Sequence, residues 1–458
     1  MTPIAALHSQ QRSFFSEGHT KPLAFRIAAL KRLKTAIIAQ EDAICHALYQ
    51  DFKKPKFESL VTETQFILAE LDYTLKNLKF WARKQSVPSS WTNFPSKDWV
   101  QYEPYGNTLI IGPWNYPFQL CIAPLIGAIA AGNTTVLKPS EHAPHTAAMV
   151  QKVVAEALEK AHVQVVEGGV ETSQALLDLP WDYIFFTGST RIGKIVYQKA
   201  AEHLTPVTLE LGGKNACVVD HSAAINTAAK RIVWGKFLNA GQTCVAPDYI
   251  LVHHSVKEAL VTALKKAITK QFGAAPRQSS DLARIATAGH YERLKTLLKE
   301  QEIICGGDFN DSDRYLAPTL VNESKWDSPL MEDEIFGPIL PIISYTKEAE
   351  IEPYLSRYSK PLAQYVFSSR KTFQKQLMEN YAFGGGAIND TVIHLSNKHL
   401  PFGGIGASGI GAYHGKHSFV LFSHQKAIVK KPAWIDPPLR YPPYKLPEKW
   451  IKWLRHLF

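Results

Sequence analysis

The segment Tyr183-Ile-Phe-Phe-Thr-Gly-Ser-Thr-Arg-Ile-Gly-Lys194 decides the fold class, because an apolar β-type run passes directly into a helical run. Gly188 allows a tight turn there, and the first amides of the helix would face an anion such as a phosphate. A P-loop fits in part, but Ile195 stands where a P-loop needs a hydroxyl. A dinucleotide-binding turn also fits in part, since Thr190 replaces its middle glycine. Both interpretations, and a plain strand–helix corner, remain open from this segment alone.

Short β-type runs alternate with helical runs on both sides of this segment. Over residues 107–220 the alternation predicts a parallel sheet with helices on both faces. A second α/β series begins near residue 222. Before residue 107, apolar spacing predicts amphipathic helices over 22–50 and 57–84, and the alternation at 99–104 predicts a strand in a hairpin or arm. The predicted fold class is α/β.

The composition excludes several classes of protein. The chain has 458 residues, of which 45% are hydrophobic, so more than one ordinary globular domain is expected. The net charge of +10 is spread along the chain without a nucleic-acid motif, which argues against a nucleic-acid partner. Five cysteines without ligand spacing argue against a disulfide framework and a metal site, and favour a reducing compartment. The apolar run 120–131 is too short to span a bilayer and predicts a buried helix.

A second candidate for a cofactor contact lies at residues 136–141, Val-Leu-Lys-Pro-Ser-Glu. It follows a predicted strand, and ligands of such sheets bind beyond the carboxyl ends of the strands. Lys138 and Glu141 could both hydrogen-bond a ribose there. A surface turn is the ordinary alternative, and the stretch alone favours it.

The stretch Gly241-Gln-Thr-Cys-Val-Ala-Pro-Asp-Tyr249 places Cys244 in a polar loop after a helical run, where the thiol is expected to be accessible, so a nucleophile is an alternative to a packing role. Such a thiol needs a base and a donor for an oxyanion. Glu210 ends a strand beside two glycines and is a candidate base, with a salt bridge to Lys214 as the alternative. Asn115, in the turn Gly-Pro-Trp-Asn-Tyr-Pro, is a candidate oxyanion donor or else a turn-stabilising residue.

Seven motifs occur in the order and at the spacings of one family. They are PWNYP, VLKPSE, FTGSTRIGK, LELGGK, NAGQTC, EIFGP and PFGGIGASG. The chain thus resembles the NAD(P)-dependent aldehyde dehydrogenases. The stretches GQTCVAPDY, GAYHGKHSF and FSHQK are similar to the class 3 branch, which includes aromatic and fatty aldehyde dehydrogenases.

The resemblance implies a role for each candidate catalytic residue. Cys244 would attack the aldehyde carbon, and the Asn115 side chain with the Cys244 backbone N–H would hold the oxyanion. Hydride loss to the nicotinamide would leave a thioester, which Glu210 would hydrolyse by activating water. Glu334 is a rival candidate for this base.

The resemblance also implies contacts to the cofactor, which would be NAD, with NADP possible. The implied contacts are Lys138 and Glu141 at the adenosine ribose, Gly188 and Ser189 at the pyrophosphate, Gly193 at the helix–strand packing, and Glu334 and Phe336 at the nicotinamide ribose. Glu141 would favour NAD because a carboxylate repels a 2′-phosphate. Ile388 departs from the glycine common in this branch, so the substrate's chain length and aromaticity are left open.

The implied architecture is a Rossmann-like cofactor domain, an α/β catalytic domain and a small bridging arm for a homodimer. The expected bounds are 1–84 and 105–210 for the cofactor domain, 211–394 for the catalytic domain, 85–104 and 420–430 for the arm, and 431–458 for a C-terminal tail. The expected location is cytoplasmic. The cationic, aromatic end of the tail, EKWIKWLRHLF, could instead touch a membrane surface peripherally.

The expected activity is oxidation of medium- or long-chain aliphatic, or aromatic, aldehydes to carboxylic acids. One alternative is an acylating enzyme that passes the thioester to coenzyme A or phosphate, and Glu210 argues against it as a hydrolytic base. A P-loop nucleotidase is an alternative from another class, and Ile195 argues against that. The third alternative is a binding protein without catalytic activity.

Overall fold

The structure, a computed structural model, describes residues 3–323, 327–358, 360–436, 438–444 and 446–454. The α-helices are α1 (Pro3–Ser16), α2 (Leu23–Phe52), α3 (Lys56–Ser59), α4 (Gln65–Trp81), α5 (Gln119–Ala131), α6 (Pro144–Ala157), α7 (Val170–Leu177), α8 (Thr190–Ala201), α9 (Ile225–Phe237), α10 (Lys257–Phe272), α11 (Ala288–Leu297), α12 (Glu352–Arg357), α13 (Lys371–Glu379), α14 (Lys416–Leu421) and α15 (Glu448–Leu454).

The strands are β1 (Gln85–Val87), β2 (Lys97–Pro104), β3 (Asn107–Ile111), β4 (Thr134–Lys138), β5 (Val163–Val165), β6 (Tyr183–Thr187), β7 (Val207–Glu210), β8 (Ala216–Val219), β9 (Tyr249–His253), β10 (Ile303–Cys305), β11 (Phe309–Asn310), β12 (Tyr315–Leu316), β13 (Thr319–Asn322), β14 (Ile339–Tyr345), β15 (Ala363–Phe367), β16 (Gly385–Ile388), β17 (Gly409–Ile410) and β18 (Ser423–Lys430). The strand–helix corner predicted at 183–194 is confirmed as β6 followed by α8.

The sheet that contains β6 has the strand order β17-β7-β6-β3-β4-β5. Its strands are parallel except β17, which pairs antiparallel with β7. The central strands β3, β4 and β6 are buried along their whole length, as expected for a parallel sheet covered on both faces. Lys138, Thr187 and Glu210 end neighbouring or nearby parallel strands, so the sheet brings them to one edge.

The second large sheet has the order β10-β13-β14-β9-β8-β15-β16, with only β10 antiparallel to its neighbour. Ala216 of β8 pairs with Tyr249 of β9, so the amino ends of these strands lie side by side. Cys244 precedes β9, and Asn215 precedes β8. The loop that carries the thiol therefore reaches the sheet at this amino-terminal edge.

A third, antiparallel sheet joins β1, β2 and β18. Strand β18 pairs with β2 without a register shift, from Ser423 opposite Pro104 to Lys430 opposite Lys97. The strand predicted at 99–104 is thus confirmed. Beside this sheet, Trp91 and Phe94 are exposed to 73% and 66%.

The helices differ from the prediction at the N-terminal end of the chain. Helix α1 was not predicted, because buried polar residues interrupt its apolar pattern; Gln11, for example, donates to the Thr135 carbonyl at 2.9 Å. The predicted helix 57–84 ends at Trp81 and contains a π-helical turn, Leu60–Thr64. The buried helix predicted at 120–131 is confirmed as α5.

The described part of the C-terminal tail ends in α15, and residues 455–458 of its cationic, aromatic end lie outside the described residues. Within the described part of the chain, every helix is too short or too polar to cross a membrane.

Candidate active site

Cys244 lies at the end of a loop that we call the thiol loop, residues 238–244. Asn239, Ala240 and Gly241 all have left-handed backbone conformations, with φ of 55°, 54° and 75°. A Cβ on Gly241 would stand 2.3 Å from the Gly337 carbonyl oxygen, so only glycine fits there. The thiol loop is therefore a strained segment that its surroundings must hold in place.

Asn115 lies in the turn of residues 112–117, which we call the amide turn, and its side chain is buried. Its Nδ2 donates to the Gln242 carbonyl at 3.1 Å, while its own carbonyl accepts from Asn239 Nδ2 at 2.8 Å. An amide nitrogen carries two hydrogens, so Asn115 keeps a second N–H for an oxyanion. The amide turn and the thiol loop are thus hydrogen-bonded to each other in both directions.

Two carboxyl groups influence the thiol. Glu210 is 3% exposed, and neither of its oxygens has a hydrogen-bond partner among the described residues. A Cβ on Gly212 would stand 2.0 Å from Glu334 Oε2, so the Glu334 carboxyl lies directly over the glycines that follow Glu210. The structure therefore brings both sequence-predicted candidates for the base to one place.

The environment raises the pKa of each of these groups. Burial raises the pKa of Glu210 well above its ordinary value. Burial, followed by the charge of Asp248, raises the pKa of Glu334 to about 8. Burial, followed by the charges of Glu334 and Glu210, raises the pKa of the Cys244 thiol. The thiol is consequently neutral near pH 7, and it needs a nearby base to become a nucleophile.

Lys138 and Glu141 form an ion pair at the carboxyl end of β4, with Nζ 2.7 Å from Oε2. Lys138 is almost completely buried, whereas the Glu141 side chain is about one-third exposed. Although burial opposes it, the hydrogen bond from Lys138 lowers the pKa of Glu141, which is therefore ionised at neutral pH. A fixed donor beside a fixed acceptor fits the two hydroxyls of a ribose.

The turn between β6 and α8 fits a phosphate-binding corner. Ser189 caps α8 by accepting from the Ile192 amide at 3.4 Å. A Cβ on Gly188 would collide with the Phe186 ring, and one on Gly193 would stand 2.7 Å from Leu211, so α8 packs closely on the sheet. Lys194 is exposed on α8. A P-loop lysine would instead reach the phosphates, which argues against the nucleotidase.

Phe336 has a left-handed backbone conformation and lies beside the amide turn. Its ring makes an edge contact with Trp114 at 5.4 Å, and its carbonyl lies 2.7 Å from His290 Nε2. The segment that carries Glu334 is thereby attached to the amide turn.

The sequence left structural alternatives open for Glu210 and Asn115, namely a salt bridge with Lys214 and a turn-stabilising role. Lys214 binds Asp248 at 2.6 Å and the carbonyls of Leu330 and Asp333, so a salt bridge from Lys214 does not account for Glu210. Asn115 does stabilise its surroundings, but across to the thiol loop rather than within its own turn.

Several supporting polar residues were missed, although their amide side chains in Gly- and Asn-rich stretches were a signal. They are Asn215, whose Nδ2 donates to the Cys244 carbonyl at 2.7 Å, Asn239, and Gln242, whose side chain bonds the Asn239 and Arg284 carbonyls and the Ala286 amide.

A half-buried thiol influenced by two carboxyls, on a loop hydrogen-bonded to an amide side chain, is the arrangement expected of an oxidoreductase that works through a cysteine. The sequence profile of the aldehyde dehydrogenase family matches residues 5–428, and the chain belongs to this family. It is 47% identical to 4,4'-diaponeurosporen-aldehyde dehydrogenase of Staphylococcus aureus, over 96% of each chain. It is 40% identical to the aldehyde dehydrogenase of Mus musculus named dimeric NADP-preferring, over 97% of this chain and 98% of that one.

A solved structure titled "Substrate bound state of Staphylococcus Aureus AldH" has the same fold, with a TM-score of 0.98 and 46% identity, and covers 99% of this chain and 100% of that one. Family 3 members among the relatives support the class 3 resemblance. The chain is an NAD(P)-dependent oxidoreductase that converts aldehydes to carboxylic acids.

Proposed function

We propose that this enzyme oxidises medium- and long-chain aliphatic or aromatic aldehydes with Cys244 as nucleophile, Asn115 as oxyanion donor and Glu210 as base. The observation that carries the proposal is the direct hydrogen bond between Asn115 Nδ2 and the thiol loop, at 3.1 Å. It holds an amide donor next to the thiol, where an oxyanion forms after attack on a carbonyl.

In the first step the Cys244 thiol transfers its proton to a neighbouring carboxylate and attacks the carbonyl carbon. The aldehyde oxygen becomes an oxyanion, which accepts hydrogen bonds from the Asn115 amide and the Cys244 backbone N–H. In a site sheltered from water these donors are already oriented, so each stabilises the charge by about 3 kcal/mol.

When bound, the nicotinamide cofactor supplies an acceptor for the hydride that leaves the substrate carbon. Cys244 is then left as a thioester. Glu210 takes a proton from water, the resulting hydroxide attacks the thioester, and the acid leaves while the thiolate is restored. We assign Glu210 first because its carboxyl oxygens have no hydrogen-bond partner in the described part of the chain, whereas the backbone amide of Gly213 hydrogen-bonds Glu334.

The cofactor would be held along the edge of the β6 sheet. Lys138 and Glu141 would bind the adenosine ribose, and Gly188, Ser189 and Gly193 would form the pyrophosphate corner. Glu334 and Phe336 would hold the nicotinamide ribose. We propose a preference for NAD over NADP, because the ionised Glu141 carboxylate repels a 2′-phosphate.

A groove of about 840 Å³ next to the thiol loop supports the substrate class. It is lined by apolar side chains, among them Phe57, Trp234 and Leu238, which begins the thiol loop, and by charged ones at its border, among them Glu58 and Lys270. The relative from Staphylococcus aureus is named for its aldehyde, 4,4'-diaponeurosporen-aldehyde. If the proposal is right, kcat/KM rises along the series from propanal to decanal, by up to about tenfold for each two buried methylenes. A flat series would exclude it.

We further propose a cytoplasmic homodimer with the domain bounds expected from the sequence. The exposed Trp91 and Phe94 beside the β1-β2-β18 sheet support an oligomeric contact, because large apolar side chains are unfavourable in water. Sedimentation velocity measures the assembly. The tail would touch membranes only peripherally, through the exposed Trp450 and Ile451 of α15, which flotation with anionic vesicles tests.

The decisive experiment follows NADH absorbance with a panel of aldehydes, using wild type and Cys244→Ser. The variant should lose at least about 1,000-fold in kcat, because a serine hydroxyl is a far weaker nucleophile than a thiolate. Comparable turnover would exclude the thiol mechanism. Adding coenzyme A separates the acylating alternative, since only an acylating enzyme forms acyl-CoA.

A further inference from the structure

The helix that runs from α3 into α4 contains a π-helical turn, Leu60–Thr64, whose end is marked by the Gln65 amide bonding the Leu60 carbonyl. Glu58 and Glu63 lie on either side of the start of this turn. In a regular α-helix, residues five positions apart point to different sides, whereas an i→i+5 turn brings them back toward one side. Glu63 accordingly pairs with the Lys54 ammonium group, whose charge also lowers the pKa of Glu58 against the effect of burial.

Glu58 contacts the thiol loop directly. Its Oε2 accepts a hydrogen bond at 3.0 Å from the backbone amide of Asn239, the first of the three left-handed residues. A carboxylate–amide bond is stronger than a bond between neutral groups. Glu58 therefore fixes the strained segment that sets the position of Cys244.

Glu63 contacts the residues that follow the amide turn. Its Oε2 accepts hydrogen bonds from the amides of Phe118 and Gln119, at 3.1 and 2.8 Å, directly after the amide turn. Its Oε1 pairs with Lys54 at 2.7 Å, and both side chains are completely buried. The Lys54 ammonium lies 3.9 Å from the ring centre of Tyr116, whose hydroxyl is 2.6 Å from Thr243 Oγ1.

We propose that Glu58 and Glu63, brought to one side of the helix by the π-helical turn, are positioning residues. Together they fix the position of the thiol loop relative to the amide turn. This inference rests on the proposed roles of Cys244 and Asn115. Glu58 orients the nucleophile and Glu63 orients the oxyanion donor.

Glu58→Leu should lower kcat by about 10- to 100-fold with little change in KM. A displacement of the reacting groups by about 1 Å can lower the rate of a reaction by about 100-fold. Glu58→Gln keeps an acceptor oxygen and should restore most of the rate. The freed loop should also change the alkylation rate of Cys244 by iodoacetamide, by about 5-fold or more. Mass spectrometry of the Cys244 peptide measures this rate without any aldehyde, so it tests the proposal even if the proposed function fails.

Cys217, fully buried in β8, is the internal control, since general loosening of the fold would expose both thiols. Asp220→Asn is the matched control variant. Asp220 is also a buried carboxylate, but it follows the carboxyl end of β8, whereas the thiol loop lies at the amino end. This variant should leave kcat and Cys244 alkylation unchanged. The inference is wrong if Glu58→Leu stays within about twofold of wild type in kcat and alkylation, or if Cys217 becomes reactive together with Cys244.

Glu63 is tested together with its partner, because Glu63→Leu alone would leave Lys54 charged and unpaired in the interior. The double variant Lys54→Met with Glu63→Leu should lower kcat by at least about tenfold. Cys244 alkylation should stay within about twofold of wild type, because Glu58 still holds the thiol loop. Full activity of the double variant would exclude Glu63 as a positioning residue.

Discussion

Replacing Asn115 with alanine tests the centre of the mechanism. The change removes one fixed donor to the oxyanion, which is worth about 3 kcal/mol of transition-state stabilisation. At about 1.4 kcal/mol for each factor of ten, kcat should fall roughly 100-fold. KM for the aldehyde should change little, because the donor acts on a charge that is absent from the ground state.

The cost to folding should be much smaller. The Gln242 carbonyl, which accepts from Asn115, also accepts from Asn239 Nδ2 at 3.2 Å, so it keeps a partner in the variant. The loss of one neutral hydrogen bond lowers the free energy of unfolding by about 1 kcal/mol. The fall in kcat therefore cannot come from unfolded enzyme.

The assay is steady-state NADH formation at saturating aldehyde, with urea unfolding of the same samples. Asn107→Ala is the matched control, because Asn107 is also a buried asparagine but lies at the opposite, amino-terminal end of β3. It should lose stability without losing rate. If Asn115→Ala keeps a kcat within about threefold of wild type, Asn115 is not the oxyanion donor.

Three other perturbations have defined outcomes. Gly241→Ala places a Cβ 2.3 Å from a neighbouring backbone oxygen at φ 75°, so both kcat and the melting temperature should fall; unchanged values would contradict the strained loop. Glu141→Ala should raise the ratio of kcat/KM with NADP to that with NAD by about tenfold, because the repulsion of a 2′-phosphate is lost; an unchanged ratio would remove Glu141 from cofactor choice. Finally, kcat/KM should rise between about pH 6 and 9, since Glu210 and Cys244 have raised pKa values and act only after losing a proton; a flat profile over this range would exclude this.

Much of the fold could be predicted because its signals are local. The corner at 183–194 and the buried helix α5 show their type in a few consecutive residues. Helix α1 was not predicted because its buried face is partly polar. The buried Gln11 donates a hydrogen bond to a strand carbonyl, and apolar periodicity does not reveal such a residue. The π-helical turn within the second predicted helix was equally invisible, because a single extra residue per turn hardly alters the apolar spacing.

The sequence indicated candidate residues for the site but not the contacts between them. Cys244, Glu210 and Asn115 stood out because reactive side chains lay in stretches rich in glycine, proline or polar residues. The amide of Gln242 was a signal, but the bonds that Glu58 and Gln242 make could not be predicted, since each joins segments far apart in the chain; Asn115 and Gln242, for example, are separated by 127 positions.

The chain of amino acids alone thus determined the α/β class, the family resemblance and the candidates for the reactive groups, because these depend on residue type and short spacing. Only the tertiary structure decided which carboxyls face the thiol and how far their pKa values rise. Burial and hydrogen bonding between distant segments control both, and they exist only once the two large sheets have packed together.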